Sequence, residues 1–189
     1  IDQTSDSFIY DPEDPVPSIG SQYQTFDFCG PRDRSHIQLR PDVLTFTTDV
    51  LTEDLEITGP ISATVWASSD AIDTDFTATL TDLEPEGKAI ALCEGIVRAR
   101  FRDGTENPQM IIPGKIYKFE IDMWNTSNSF NKGHRIRIEI SSSNFPRYNR
   151  NLNSGNPIAS DTDITIANQT VYHGSKHPSH INLPLIPAR

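Results

Sequence analysis

The chain lacks the long apolar run and the leader segment that a membrane or secretory route would require. Its apolar runs extend over only a few residues, whereas a membrane-spanning helix needs about 20. No charged segment followed by an apolar one opens the chain, which begins at Ile1 rather than at a methionine. We therefore expect a soluble protein, with the cytoplasm favoured as its location. The non-methionine start predicts a processed product or a piece of a longer polypeptide.

Sequence motifs of several common enzyme active sites are also missing. There is no GxSxG, the sharp turn that presents the nucleophilic serine of α/β-hydrolases. The glycine-rich phosphate loops GxxxxGKS/T and GxGxxG do not occur, and neither does the zinc-binding HExxH. The chain is thus expected to carry no catalytic residue and no cofactor of its own.

Residues that could ligate a metal are few and poorly spaced. Cys29 and Cys93 stand far apart with no CxxC or Cys/His ligand pattern, so we expect two unpaired thiols. Three histidines near the C-terminus have spacings of four and three: His173, His177 and His180. On a helix they could converge on a metal, but Gly174 and Pro178 interrupt the segment. We expect these histidines to hydrogen-bond loop backbone instead.

The charge of the chain is strongly negative. Sixteen Lys and Arg residues against 26 Asp and Glu residues give a formal net charge of −10. Such a chain repels both the phosphate backbone of nucleic acids and anionic membrane surfaces. Neither nucleic acid nor membrane is therefore expected as a partner.

Prolines crowd the first 42 residues. The segment YDPEDPVPSIG places Pro12, Pro15 and Pro17 so closely that neither a helix nor a central strand can pass through it. Residues 1–42 are predicted to form an irregular, extended lead-in segment that packs on the remainder of the chain or on another domain. Residues 43–189 are predicted to form one folded domain.

Residues 43–189 show the two-residue periodicity of β-strands. YKFEIDMW (117–124) alternates apolar and mostly charged residues, and RIRIEI (135–140) points three isoleucines to one face. Arg135, Arg137 and Glu139 are then expected on the outward face.

Several further strands are predicted, at 61–69, 76–83, 89–101, 163–172 and 180–185. Gly95 is expected to form a bulge in the strand 89–101. About eight strands without helical periodicity predict an all-β fold with little helix, a double-sheet jelly roll or a related sandwich.

The acidic stretch SSDAIDTDFTATLTDLEPEGKA (68–89) contains the chain's most suggestive carboxylates, Asp73 and Asp75. A calcium loop is one alternative, but DAIDTD lacks the required glycine at the sixth position. A catalytic acid and base would have to face each other across a cleft, which proximity along one strand does not support. We favour a structural role, since buried carboxylates need charged partners. The candidate partners are Arg98, Arg100, Arg135 and Arg137.

A second polar concentration is SSSNFPRYNRNLNSG (141–155). Its asparagines are typical of an ordered loop, while its aromatic and arginine residues also favour an interdomain contact. The two interpretations are compatible. The interface candidates are Asn144, Phe145, Arg147, Arg150 and Asn151.

Several consecutive segments resemble one protein family. They are RPDVLTFTTDVLTEDLEITGPI, SSDAIDTDFTATLTDLEPEGKAIALCEGIVRARFR, PGKIYKFEIDMWNTSNSFNKGHRIRIEISSSNFPRYNRNLNSG and the C-terminal TVYH and PSHINLPLIP. In this order they resemble the C-terminal domain of the X-Pro dipeptidyl-peptidase, cocaine esterase and α-amino acid ester hydrolase group of serine hydrolases. YDPEDPVPSIG resembles the segment that leads into that domain.

The resemblance implies a non-catalytic jelly-roll β-sandwich of the galactose-binding-like type. It would pack on an α/β-hydrolase domain of the same polypeptide, which would carry the catalytic triad. Its expected role is to stabilise that domain and shape the surroundings of the active site, and a homo-oligomer is left open. A carbohydrate-binding jelly roll is the main alternative and predicts a flat row of exposed aromatic side chains. A small metal-dependent enzyme is a further alternative, which predicts a bound metal.

Overall fold

The protein is built almost entirely of β-strands. The computed structural model describes residues 4–22, 29–157 and 160–187. In this part of the chain the helical segments are two single 3-10 turns, Ile37–Leu39 and Ala99–Phe101. No helix there is long and apolar enough to cross a bilayer. The strands are β1 (Ser5–Tyr10), β2 (Leu44–Thr47), β3 (Leu55–Ser69), β4 (Asp75–Leu83), β5 (Ala89–Arg98), β6 (Tyr117–Phe130), β7 (Arg135–Ser141), β8 (Ala167–Tyr172) and β9 (His180–Asn182).

The strands form two antiparallel sheets that face each other. One sheet has the order β1-β8-β3-β6, with β9 paired to β3 beside β8, and the other has the order β2-β7-β4-β5. Strands that are neighbours in a sheet are mostly distant in the chain, as in a jelly roll. The prediction of an all-β jelly-roll sandwich with little helix is confirmed.

The core lies between the two sheets and follows the two-residue periodicity of the strands. Ile57, Ile61 and Val65 of β3 point to the same side and are buried. Across the core, Phe76 of β4 stacks against Phe119 of β6 with ring centroids 4.7 Å apart. Alternating apolar residues on long strands thus account for the burial of both inner faces.

Gly95 lies where the two sheets approach most closely, and it does not form the expected bulge. It pairs regularly with Ala78, and the irregularity of this strand pair falls at Leu92 instead. A Cβ atom at position 95 would lie 2.1 Å from the carbonyl oxygen of Asp122 on β6. Glycine is therefore required because the backbones of β5 and β6 touch, which closes this side of the sandwich.

The lead-in segment differs from its prediction in one respect. Ser5–Tyr10 is not irregular but forms the edge strand β1, paired with β8, and the chain leaves the sheet before the first proline. Residues 1–3 and 23–28 of this segment lie outside the described residues.

Glu139 lies on the outward face of β7, opposite the core-facing isoleucines. It is nevertheless buried, because Arg34 of the lead-in segment covers it and both side chains are at most 3% exposed.

The loops are distributed unequally between the two ends of the sandwich. One end, here called the long-loop end, comprises the connections 11–43, 70–74, 99–116 and 142–166. Apart from 70–74, these connections are much longer than those at the opposite, short-loop end, such as 84–88 between β4 and β5. Asp73, Asp75 and the loop 141–155 therefore meet at the same end of the molecule.

Candidate interdomain interface

Asp73 and Asp75 lie at the start of β4 and are completely buried. The Nε and Nη2 atoms of Arg98 donate to the two carboxylate oxygens of Asp75 at 2.7 and 2.9 Å. The backbone N–H and the Nε atom of Arg100 donate to the two oxygens of Asp73 at 2.9 and 2.8 Å. Every oxygen of both carboxylates therefore has a donor, and each negative charge has an arginine beside it.

Asn151 joins these two ion pairs to the loop 142–166. Its Nδ2 atom donates to both Asp73 and Asp75 at 2.9 Å. The guanidinium groups reach the same loop, because Arg98 donates to the carbonyl of residue 149 and Arg100 to that of residue 156. We call these five side chains the acid–arginine network.

Asp75 stabilises the charged form of the Arg98 guanidinium group. Burial by itself lowers the pKa of Arg98, but the hydrogen bond and the charge of Asp75 outweigh burial and hold the pKa above its usual value. Burial raises the pKa of the Asp75 carboxyl, against the opposing effects of Arg98 and Asn151. All four carboxylate oxygens of the network already accept hydrogen bonds. Its arrangement supports structure rather than proton transfer.

The turn around Phe145 is bound to the lead-in segment through its backbone. The N–H of Phe145 donates to the carbonyl of Val16 at 2.9 Å, and its carbonyl accepts from Ser18 at 2.7 Å. Arg150 donates to the carbonyl of Pro12 at 2.8 Å. These contacts fix the loop against the segment that enters the domain.

A third acid, Glu94 of β5, lies buried beneath this turn. Asn144 donates to one of its carboxylate oxygens at 2.7 Å. The Nε atom of Arg147 lies 2.9 Å from the other oxygen, an ion-pair contact whose angle is not that of a hydrogen bond. Burial raises the pKa of the Glu94 carboxyl, against the opposing effects of Asn144 and Arg147.

Apolar side chains are exposed next to the acid–arginine network. Ile72, Met110 and Ile112, here called the apolar patch, are 43, 42 and 60% exposed. Ile72 and Met110 meet over Gly155, where an added Cβ atom would lie 2.6 Å from Ile72 and 3.6 Å from Met110. Exposed apolar groups on a rigid polar base are typical of a protein contact surface.

Comparison with known proteins identifies the family. Residues 4–182 match the model of the X-Pro dipeptidyl-peptidase C-terminal non-catalytic domain. The chain belongs to this family. The resemblance found in the sequence is thereby confirmed, and the chain is a non-catalytic C-terminal domain of the hydrolase group.

Relatives of this non-catalytic domain are enzymes of greater length. Cocaine esterase of Rhodococcus sp. (strain MB1 Bresler) is 49% identical over 188 residues, which are 97% of this chain and 33% of the esterase. The crystal structure of an aminopeptidase from a marine sediment Thaumarchaeota archaeon matches with a TM-score of 0.89 at 27% identity, over 99% of this chain and 34% of that one. An α-amino acid ester hydrolase matches with a TM-score of 0.87 at 29% identity, over 96% and 32%. The domain spans about a third of the length of these relatives.

Two of the predicted partner arginines lie elsewhere in the domain. Arg135 and Arg137 are at the start of β7, toward the short-loop end, and do not contact Asp73 or Asp75. Arg135 donates to the carbonyl of Thr48 at 2.8 Å. Arg137 donates to Thr47 and Gln38, both at 2.7 Å. Of the four candidate partners, Arg98 and Arg100 bind the acids. Arg98 ends the strand that pairs with β4, and Arg100 follows in the 3-10 turn Ala99–Phe101.

Three polar residues that anchor the lead-in segment were not recognised in the sequence. Arg34 and Glu139 form a buried ion pair at 2.8 Å, and Gln38 donates to the same carboxylate at 2.9 Å. The hydroxyl of Tyr10 donates to the carbonyl of Asn151 at 3.0 Å. The β-branched and aromatic run FIY, which ends at Tyr10, is the one sequence signal for a strand here. Nothing in the sequence around Arg34 indicates that its side chain is buried.

The C-terminal histidines are dispersed. His173 contacts Asp6 at 2.7 Å, His177 stacks on Trp66 at 5.1 Å, and Nδ1 of His180 meets the carbonyl of residue 178 at 2.8 Å. Within residues 4–22, 29–157 and 160–187, no three His, Cys, Asp or Glu side chains stand together as a metal would need.

The row of aromatic side chains expected for a carbohydrate-binding module is not seen in the described part of the chain. Its exposed large aromatic residues are Trp124 and Phe145, which lie on β6 and in the loop after β7. Two separate rings do not make a stacking platform for a sugar chain.

Proposed function

We propose that this non-catalytic domain packs through its long-loop end on an α/β-hydrolase catalytic domain of the same polypeptide. Its role is to stabilise the catalytic domain and to shape the surroundings of its active site. The observation that carries the proposal is the apolar patch, which lies exposed beside the acid–arginine network, whose two acids are fully buried.

The rigidity of the long-loop end supports this role. Loops that are already fixed lose little conformational entropy when they bind a partner. Here the loop 142–166 is held by Arg98, Arg100 and Asn151, and the turn at Phe145 is held by the lead-in segment. A fixed surface with exposed isoleucine and methionine side chains can bury apolar area at a small entropic cost.

The relatives support a substrate class for the complete enzyme. We propose that it hydrolyses acyl or amino-acid esters, because the printed names of two relatives are cocaine esterase and α-amino acid ester hydrolase. An X-Pro dipeptidyl-peptidase activity is the second candidate, supported by the name of the matching family.

Charged substitutions in the apolar patch test the proposed interface. In the full-length polypeptide, Met110→Asp and Ile112→Asp should each lower the temperature at which esterase activity is lost by about 3 °C or more. The matched control is Val50→Asp, because Val50 is 46% exposed at the short-loop end and should have little effect. In the isolated 189-residue chain all three variants should melt like the parent. Equal effects of all three on the full-length polypeptide would contradict the proposed interface.

Two sequence predictions stay predictions. Light scattering on the purified full-length polypeptide tests the homo-oligomer, and fractionation of the source cells tests the cytoplasmic location.

A further inference from the structure

A groove of about 310 Å³ lies between the two sheets on the side away from β5 and β6. Its apolar wall comes from strands of both sheets and includes Phe46, Val65, Ile138, Val171 and Ile181. Protein interiors rarely leave spaces much larger than a water molecule. At about 30 Å³ per water, this space holds roughly ten groups of water size. Its size and apolar wall are those of a small-molecule site.

The hydroxyl groups of the groove leave only one spare donor. The hydroxyl of Thr64 donates to Glu120, that of Ser179 to the carbonyl of residue 172, and that of Thr48 to the carbonyl of residue 49. Thr47 accepts from Arg137, and among the described residues its own O–H has no acceptor.

Two histidines of the lining retain an acceptor nitrogen. Nε2 of His173 faces the carboxylate of Asp6, and Nδ1 of His180 faces a backbone carbonyl, so each of these nitrogens carries a proton. In the neutral rings, Nδ1 of His173 and Nε2 of His180 are then acceptors. Neither has a hydrogen-bond partner among the described residues.

The lining also decides the charge of a ligand. It contains no Asp, Glu, Lys or Arg side chain. A carboxylate would find only the hydroxyl of Thr47 as a donor and no positive charge, and an ammonium group would lose its hydration without a counter-charge. A neutral hydroxyl can donate to a histidine while its apolar chain fills the groove.

We propose that this groove binds a neutral alcohol with an apolar body of about ten non-hydrogen atoms. The apolar body lies against Ile138 and Ile181, and the hydroxyl donates to His173 or His180.

Titration of the isoleucine methyl groups by NMR tests the proposal on the 189-residue chain. The probes are 1-octanol, octanoate and octylammonium, which share a chain length and differ in the polar group. We expect saturable shifts of the Ile138 and Ile181 signals with 1-octanol, at least tenfold weaker binding of both ions, and an unchanged signal for the exposed Ile9. Absence of saturation, or equal affinity for the three probes, would overturn the proposal.

Variants locate the site. Ile138→Trp should fill the groove and abolish binding, with Ile138→Phe as the smaller replacement should the first variant fail to fold. The control Ile9→Trp should bind as the parent does, and His180→Phe should weaken 1-octanol about fivefold. Unchanged binding in a folded Ile138 variant overturns the site. The titration is repeated on the full-length polypeptide to learn whether another segment of the polypeptide fills the groove. Loss of 1-octanol binding there would show that such a segment occupies the groove, and would overturn the proposal for the complete protein.

Discussion

At the scale of single residues, the buried acids of this domain have a structural role, because arginine side chains balance their charge. Asp75 has no exposed surface, and its two oxygens accept hydrogen bonds from Arg98. A buried ion pair adds little stability compared with an apolar pair of the same shape, but removing one partner leaves an uncompensated charge. The pair therefore specifies which strands meet at the long-loop end.

Asp75→Ala should destabilise the domain by about 3 kcal/mol, because Arg98 would remain buried without its counter-charge. Urea unfolding of the isolated chain measures this change. The matched control is Lys118→Ala, whose ion pair with Glu120 is 50% exposed or more on both sides and should change stability by no more than about 0.5 kcal/mol. The double variant with Arg98→Ala should cost less than the sum of the single changes. Strict additivity would contradict the pairing.

Gly95→Ala should destabilise the domain by about 3 kcal/mol through overpacking, since the new methyl group would collide with the backbone of Asp122. Gly87→Ala is the control, because position 87 has a φ of +92° but no atom within 4 Å of an added Cβ. It should cost only the backbone strain, about 1 kcal/mol. Thermal melts compare the two, and a smaller effect at position 95 than at 87 would argue against the close approach of β5 and β6.

The two cysteines should differ sharply in reactivity. Both are free, but Cys29 is exposed, while burial raises the pKa of the Cys93 thiol to about 12. Because only a thiolate reacts, a disulfide reagent at pH 8 should modify one thiol per native chain and two after denaturation. Cys29→Ser should abolish the fast reaction. Two equivalent thiols in the native chain would be incompatible with a buried Cys93.

At the scale of elements, the loop 142–166 behaves as part of the sandwich because polar side chains beneath it bind it. Glu94 on β5 contributes through Asn144 and Arg147. Since this carboxyl is buried, the loop's attachment should depend on pH.

Glu94→Gln should reveal that dependence. Because the folded state raises the pKa of Glu94, the stability linked to its protonated form is fully present below the ordinary pKa of about 4.3 and is lost as the pH rises through the folded value. The glutamine variant cannot ionise, so its stability relative to the parent should increase with pH across this window. Other titrating groups occur in both proteins and cancel. Urea unfolding at a series of pH values provides the measurement, and a difference that falls with rising pH would show that Arg147 dominates instead.

The strands were largely predictable from the sequence, since residues such as Ile136, Ile138 and Ile140 repeat every second position and must bury one face. The ends of the strands were less predictable, since the strand expected at 163–172 begins only at Ala167. Strand β1 was not predicted, because the prolines that follow it indicated an irregular segment. The identity of the arginine partners could not be predicted. Register decides that Arg98 lies opposite Asp75. In this hairpin the turn and the extra residue at Leu92 set the register, whereas the sequence predicted the irregularity at Gly95.

Burial of Glu139 illustrates the same limit. Alternation places it on the outer face of β7, which in a two-layer fold normally meets water. The lead-in segment covers that face with Arg34 and Gln38. Local periodicity carries no information about a covering segment that lies 105 positions away in the chain at Arg34. The buried ion pair of Arg34 and Glu139 therefore had no sequence signal.

At the scale of the whole molecule, the two ends of the sandwich differ in construction. The long-loop end combines buried ion pairs, loops fixed by backbone contacts and the exposed apolar patch. The short-loop end has short turns. A domain that packs on a catalytic domain needs one such rigid face, and we propose that the long-loop end is that face.

Amide hydrogen exchange, compared between the isolated 189-residue chain and the full-length polypeptide, measures whether a catalytic domain covers the long-loop end. Amides covered by a docked domain exchange more slowly. We expect added protection in the connections 70–74, 99–116 and 142–166, with the turn between β4 and β5 at the short-loop end unchanged. Equal exchange in both proteins, or added protection only at the short-loop end, would contradict the proposed interface.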